Sequence, residues 1–203
     1  MPERPILFSG SMIRAIIEGK KTMTRRVIKS DPDLLRINGR YLQYRQTPEY
    51  DWFDWLPSFG FGPHGATKDT LYVREAFARN VITNAVFYKA DSGFDYLRSA
   101  FPEHLIWKPG IHMPKALARL RLEIKSVKVE RINQISAEDA LAEGVTWWRR
   151  ELTHKQIEKY DRERLLVDPV YTFEQMWNTI NAKRGYPFSA GHWCWCYTFK
   201  RLR

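Results

Sequence analysis

The chain has 203 residues, of which 44% are hydrophobic and 14% aromatic, and a formal net charge of +10. That length and apolar content suit one large domain, or a small one carrying long insertions, and exclude a disordered chain. The positive charge is clustered rather than scattered, which favours polyanionic partners such as nucleic acid, nucleotides or an anionic membrane surface. No stretch approaches the ~18 apolar residues of a membrane span, and Met1-Pro2-Glu3-Arg4-Pro5 lacks the apolar core of a signal peptide, so a cytosolic location is expected. Cys194 and Cys196 flank a single residue, too close to bridge without strain.

In chain order, Ile6-Leu7-Phe8 reads as a strand, and Ser9 or Ser11 caps a helix whose buried stripe is Met12, Ile13, Ile16 and Ile17. Gly19 supplies the left-handed stop. An extended segment follows through Val27-Ile28. Asn38-Gly39 between Leu35 and Leu42 predicts a tight hairpin, because that dipeptide accepts positive φ at both central positions. Residues 50–67 are rich in aromatics, glycine and proline and read as a loop. Leu71 to Phe77 and Ala85 to Lys89 read as strands, and 91–115 as irregular, broken by Pro102, Pro109 and Pro114. Leu120 to Val129 alternates as a half-buried strand. Ser136-Ala137-Glu138-Asp139 opens a helix that Gly144 ends. A helix is expected near 153–163, and Thr172-Phe173-Glu174-Gln175 reads as a capping box leading a helix to about Ala182. Trp193 to Phe199 closes as a strand. The pattern predicts a single α+β domain on a small barrel or curved sheet, with insertions near 30–68, 78–115 and 146–190.

The chemistry concentrates in Gly19-Lys20-Lys21-Thr22-Met23-Thr24-Arg25-Arg26, where eight residues hold four cations and two threonines. As a strand it places Thr22, Thr24 and Arg26 on one face, with Arg25 on the other. Thr24 is a nucleophile only beside a base, and a lysine whose pKa is lowered by burial or by neighbouring cations serves as one. The alternative is a phosphate-binding strand without catalysis, in which Lys20, Lys21, Arg25 and Arg26 hold a polyanion. Glu143, at a helix end, is a candidate proton relay or a solvated surface group. Glu75, beside Arg74, is a second candidate or one half of a surface ion pair. His192, Cys194 and Cys196 share a strand face, but a tetrahedral metal site lacks a fourth ligand there, so core packing is preferred and no metal or cofactor is expected. Trp52, Trp55, Phe59, Phe61, Trp147 and Trp148, with Arg149 and Arg150, suit either base stacking or core packing.

These stretches resemble the ASCH domain, a relative of the PUA fold, in its longer form common in phage and prophage genomes. The resemblance rests on Ile6 to Ser9, Gly19 to Arg26, Asp69 to Glu75, Trp107 to Pro114, Val129 through Ser136 to Gly144, and Trp193 to Lys200. It implies a small PUA-like β-barrel with flanking short helices, and a nucleoside, RNA or DNA as ligand. One compact bacterial branch hydrolyses N4-acetylcytidine with a lysine, a threonine and a glutamate, which match Lys21, Thr24 and Glu143. Lys20, Arg25, Arg26, Arg74 and Glu75 would then bind substrate. This chain is about twice as long as those enzymes. Other ASCH proteins bind RNA or cleave it, so a non-catalytic reader of RNA or modified bases, or a metal-independent ribonuclease, stands beside the hydrolase.

Overall fold

The computed structural model describes residues 2–29, 35–38, 41–44, 53–57, 61–100, 103–145 and 168–202. Among them thirteen strands and four helices follow one another. The first part of the chain runs β1 (Glu3–Leu7), α1 (Gly10–Ile17), β2 (Met23–Val27), β3 (Leu35–Asn38), β4 (Tyr41–Tyr44), β5 (Phe53–Pro57), β6 (Phe61–Gly62), β7 (Gly65–Ala66) and β8 (Thr70–Arg74). The rest runs β9 (Phe77–Asn80), β10 (Val86–Tyr88), α2 (Phe94–Ala100), β11 (Leu105–Lys108), β12 (Arg121–Arg131), α3 (Ala137–Ala142), α4 (Pro169–Asn181) and β13 (Trp193–Arg201). The fold is mixed α+β, and no closed sheet occurs among the described residues. Among the described residues no helix is long and apolar enough to cross a membrane.

The chain divides into two compact units. The first comprises 1–22, 60–127 and 198–203. In it β1 lies parallel to β8, with Ile6 opposite Val73, and β8 runs antiparallel to β12, with Leu71 opposite Leu122. All four of these side chains are buried. The antiparallel sheet β10-β9-β11 stands over its own apolar cluster of Phe77, Met113 and Ala118. Helix α1 is capped by the Ser9 hydroxyl, which accepts from Met12 N, and it ends where Gly19 takes φ +74°. Ile13 and Ile16 are its buried stripe; Met12 is only half-buried and Ile17 is exposed, so the apolar face is narrower than the spacing predicts.

The second unit comprises 23–59 and 128–197. Here the strand order is β12, β13, β2, beside a separate antiparallel sheet β3-β4-β5. Its core gathers Ile132, Ile135, Ala140, Val145, Phe173, Trp177, Phe188, Cys194 and Cys196. Phe173 and Trp177, one helical turn apart on α4, stack with centroids 5.9 Å apart. The indole N–H of Trp177 donates to the Tyr186 carbonyl at 2.9 Å, so the ring is buried without stranding its polar atom.

Several elements differ from the sequence reading. The expected loop 50–67 contains β5, which pairs with β4, and the short pair β6-β7. Bulky aromatics favour a strand once a partner edge exists, and Pro57 is tolerated because it is the last residue of β5. The predicted strand 71–77 breaks at Glu75-Ala76, where β8 gives way to β9. The irregular stretch 91–115 holds α2 and β11. Helix α4 starts at Pro169 with Asp168 as its cap, accepting from Val170 N at 3.0 Å. Thr172 is therefore inside the helix, its hydroxyl bonded back to the Asp168 carbonyl. Strands β3 and β4 pair antiparallel as the hairpin reading expects, but Asn38 is the last residue of β3, opposite Tyr41, rather than a central turn residue. The helix expected at 153–163, together with Trp147, Trp148, Arg149 and Arg150, lies outside the described residues, as do Trp52, Phe59 and the side chains of Trp55 and Phe61.

Candidate functional site

In the first unit, the end of α1 sets Lys21. The N–H groups of Lys20 and Lys21 both donate to the Ala15 carbonyl, at 2.8 and 3.0 Å, wrapping the chain around the helix terminus. The two lysines then part. Lys20 is exposed and pairs with Glu18 at 2.6 Å, a surface contact of little energetic weight. Lys21 is only 2% exposed, and its Nζ stands 5.7 Å from the centroid of the Phe8 ring.

Glu75 is also in this unit, buried immediately after β8. The Arg119 fork grips it: Nε donates to Oε1 at 2.9 Å and Nη2 to Oε2 at 3.1 Å. Nη1 of the same guanidinium donates to Asp91 at 2.6 Å, and its carbon sits 4.1 Å from the Tyr88 ring centroid. Tyr88 completes the set by donating its hydroxyl to the Leu117 carbonyl. Burial pushes the Glu75 carboxyl above its ordinary range; the Arg119 bonds oppose this without cancelling it. Arg119 moves the other way from what burial alone would give, because its bonds to Glu75 and Asp91 hold the charge. Pairing therefore keeps the guanidinium firmly cationic, while burial still dominates at the carboxylate. Arg74 is half-buried, and its Nε has no hydrogen-bond partner among the described residues.

In the second unit, β2 carries Thr24, 3% exposed, and Arg25, 5% exposed. Arg25 is the centre of an ion cluster. Its Nη1 donates to Glu143 Oε1 at 3.3 Å, and its Nη2 to Glu130 Oε2 at 3.1 Å and to Asp139 Oδ2 at 2.5 Å. Lys128 adds a second cation, 2.5 Å from Glu130 and 3.5 Å from Asp139. Local geometry explains the convergence. Asp139 and Glu143 are four apart on α3 and its cap, so they share a face. Lys128 and Glu130 are two apart on β12, so they share another. Ser136 caps α3 by accepting from Asp139 N, which fixes where that face begins. Burial works against the Arg25 charge, but Cys196, Glu143 and Asp139 raise its pKa overall. At neutral pH the carboxylates carry that effect, because burial keeps the Cys196 thiol protonated, with its pKa pushed up to about 12. Arg26 is half-buried, and burial lowers its pKa against the pull of Glu143.

Cys194 and Cys196 pack in the apolar core, and burial raises both thiols. Among the described residues no group of three or more His, Cys, Asp or Glu side chains is placed to hold a metal ion. Of the expected residues, Glu143 and Arg25 are brought together, while Lys21 belongs to the first unit and Thr24 to the second. Sequence reasoning passed over Asp139, Glu130, Lys128, Arg119 and Asp91. The acidic pair at four-residue spacing on α3 was the available signal; Arg119 and Asp91 left none.

No family model matches the chain. Among curated proteins it is similar to cytochrome P450 2E1 of Bos taurus, with 26% identity over 184 residues, covering 85% of this chain but 34% of that protein. The chain thus spans about a third of the length of the curated relative it matches. Among solved structures it is similar to protein EF3133 of Enterococcus faecalis V583, of family DUF984, at a TM-score of 0.42 and 13% identity, over 100% of this chain and 77% of that one. Likenesses at these levels do not assign the chain to a family.

Proposed function

We propose that this chain is an ASCH-type hydrolase that cleaves the amide of N4-acylated cytosine nucleosides, with N4-acetylcytidine as the reference substrate. The observation that carries the reading is burial. Lysine and threonine are usually solvated, yet Lys21 and Thr24, three residues apart in the motif that matches the hydrolase branch, are 2% and 3% exposed. Glu143, the third matching residue, is buried as well. Removal of the amine and the hydroxyl from bulk water is what a lysine base and a threonine nucleophile use.

In this scheme the Lys21 amine takes the Thr24 proton and Thr24 Oγ1 adds to the amide carbonyl. The carbon–nitrogen bond then breaks as Glu143 relays a proton to the departing N4 amine, and water hydrolyses the threonine ester to release acetate. No step calls for a metal. The test is release of cytidine from N4-acetylcytidine, followed by chromatography with and without EDTA. Thr24→Ala should abolish turnover with substrate binding largely kept, and Lys21→Ala should lose turnover. Full activity in Thr24→Ala together with loss in EDTA would refute the scheme. Salt-sensitive RNA binding without turnover would instead favour a reader of RNA or modified bases.

A further inference from the structure

We propose that Arg25 is a positioning residue that acts through Glu143 rather than by touching substrate; this rests on the hydrolase reading. Arg25 spends its guanidinium inside the protein. Its side chain is 1% exposed, and both terminal nitrogens already donate to carboxylates from β12, from α3 and from the cap of α3. A substrate would have to displace those bonds to reach it.

Arg25 hydrogen-bonds Glu143, beside the electrostatic attraction between Glu143 and Arg26. Glu143 is the C-terminal cap of α3, where the helix presents carbonyl oxygens and the negative end of its dipole. A carboxylate belongs at the opposite end, and this one also follows Asp139 by one turn, a second like charge on the same face. Its side chain is 3% exposed, so water does not relieve either repulsion. The Arg25 fork meets both acids at once, Nη1 on Glu143 and Nη2 on Asp139. Lys128 serves only the outer rim of the cluster, on Glu130 and Asp139. Lysine in place of Arg25 keeps the charge but is a single point donor, unable to span the two carboxylates in the planar geometry of a guanidinium.

The experiment is a double-mutant cycle with Arg25→Lys, Glu143→Gln and the combination, read as N4-acetylcytidine turnover and as Tm. Arg25→Lys is expected to lower kcat by about 10-fold or more, as misplacement of a catalytic group does, with KM within about 2-fold. The double variant should be no slower than Glu143→Gln alone, and the Tm loss from Arg25→Lys should shrink in the Glu143→Gln background. A rise in KM with kcat kept, or penalties that multiply, overturns the proposal by making Arg25 an independent substrate contact. Equal Tm losses in both backgrounds overturn it at the level of geometry. No turnover by the unmodified protein refutes the hydrolase reading, and with it any catalytic role for Arg25, while the Tm cycle still decides whether Arg25 sets Glu143.

Discussion

Replacing Arg119 by methionine tests how a buried carboxylate is maintained. The substitution removes two bonds to Glu75, which is 2% exposed, and one to Asp91, which is 46% exposed. The Asp91 contact is surface-like and contributes about 0–1 kcal/mol. Leaving Glu75 charged and unpaired costs about 3–5 kcal/mol. Methionine still covers the Tyr88 ring, so the loss of cation attraction there, about 0.5–1 kcal/mol, is partly offset. A destabilisation of roughly 3 kcal/mol at neutral pH follows, or a fall in Tm of roughly 6–12 °C for a chain of this size.

The pH dependence separates this cause from lost packing. A carboxyl whose pKa is raised on folding binds more protons folded than unfolded, so its contribution to stability is greatest below its unfolded pKa and falls as pH rises through the folded one. Removing Arg119 deletes the group that opposes the rise, so the decline becomes steeper and reaches higher pH. The deficit of the variant must therefore shrink on acidification to below the ordinary carboxyl range, where Glu75 is protonated in both proteins. Urea unfolding followed by tryptophan fluorescence at a series of pH values measures this. A deficit that is constant with pH, or one below about 1 kcal/mol at neutral pH, would refute the account, as would a failure of Glu75→Gln to recover stability in the variant.

Two further outcomes follow from packing. Gly110→Ala should destabilise by about 1–3 kcal/mol, because the added methyl would lie 2.7 Å from Leu7 Cδ1 and 3.0–3.1 Å from the Glu75 backbone, which cannot move aside; a Tm equal to that of the parent would contradict this close approach. Cys196, with its thiol at about 12, should be about one ten-thousandth thiolate near pH 8 and, being buried, should resist an aromatic disulfide reagent until the protein is denatured; rapid labelling of the native protein would show the core to be open.

Local signals were legible in the sequence wherever one residue and its near neighbours decide the outcome. Ser9, Ser136, Gly19 and Gly144 marked helix ends, and Asn38-Gly39 marked the pairing of β3 with β4, one residue early, since Asn38 belongs to the strand. Asp168-Pro169 was an equally good helix start and outranks the Thr172 box, since proline at the first helical position gives up no bond. Strand β5 was hidden because its partner edge, β4, is a tertiary fact. The candidate site divides in the same way. Alternation along β2 separates Arg25 from Arg26, but nothing local says that Glu130 and Asp139 meet Arg25 from 105 and 114 residues away. The burial of Lys21 and Thr24 is likewise a property of the packed chain.

The parallel pairing of β1 with β8 carries a kinetic consequence. Glu3 meets Thr70, a separation of 70 − 3 = 67 positions, whereas Asn38 meets Tyr41 across 41 − 38 = 3. Loop closure grows as (3/2)RT ln n, so joining β1 costs roughly 2.7 kcal/mol more chain entropy than closing the hairpin. Nothing local repays that before Ile6 and Val73 are buried. The strand is therefore among the slowest to recruit, and until it arrives the free edge of β8 is a row of open donors and acceptors that a second unfolded chain can occupy. Docking of β1 covers that edge and replaces it with one that carries Pro5 and the charges of Glu3 and Arg4, which discourage further pairing.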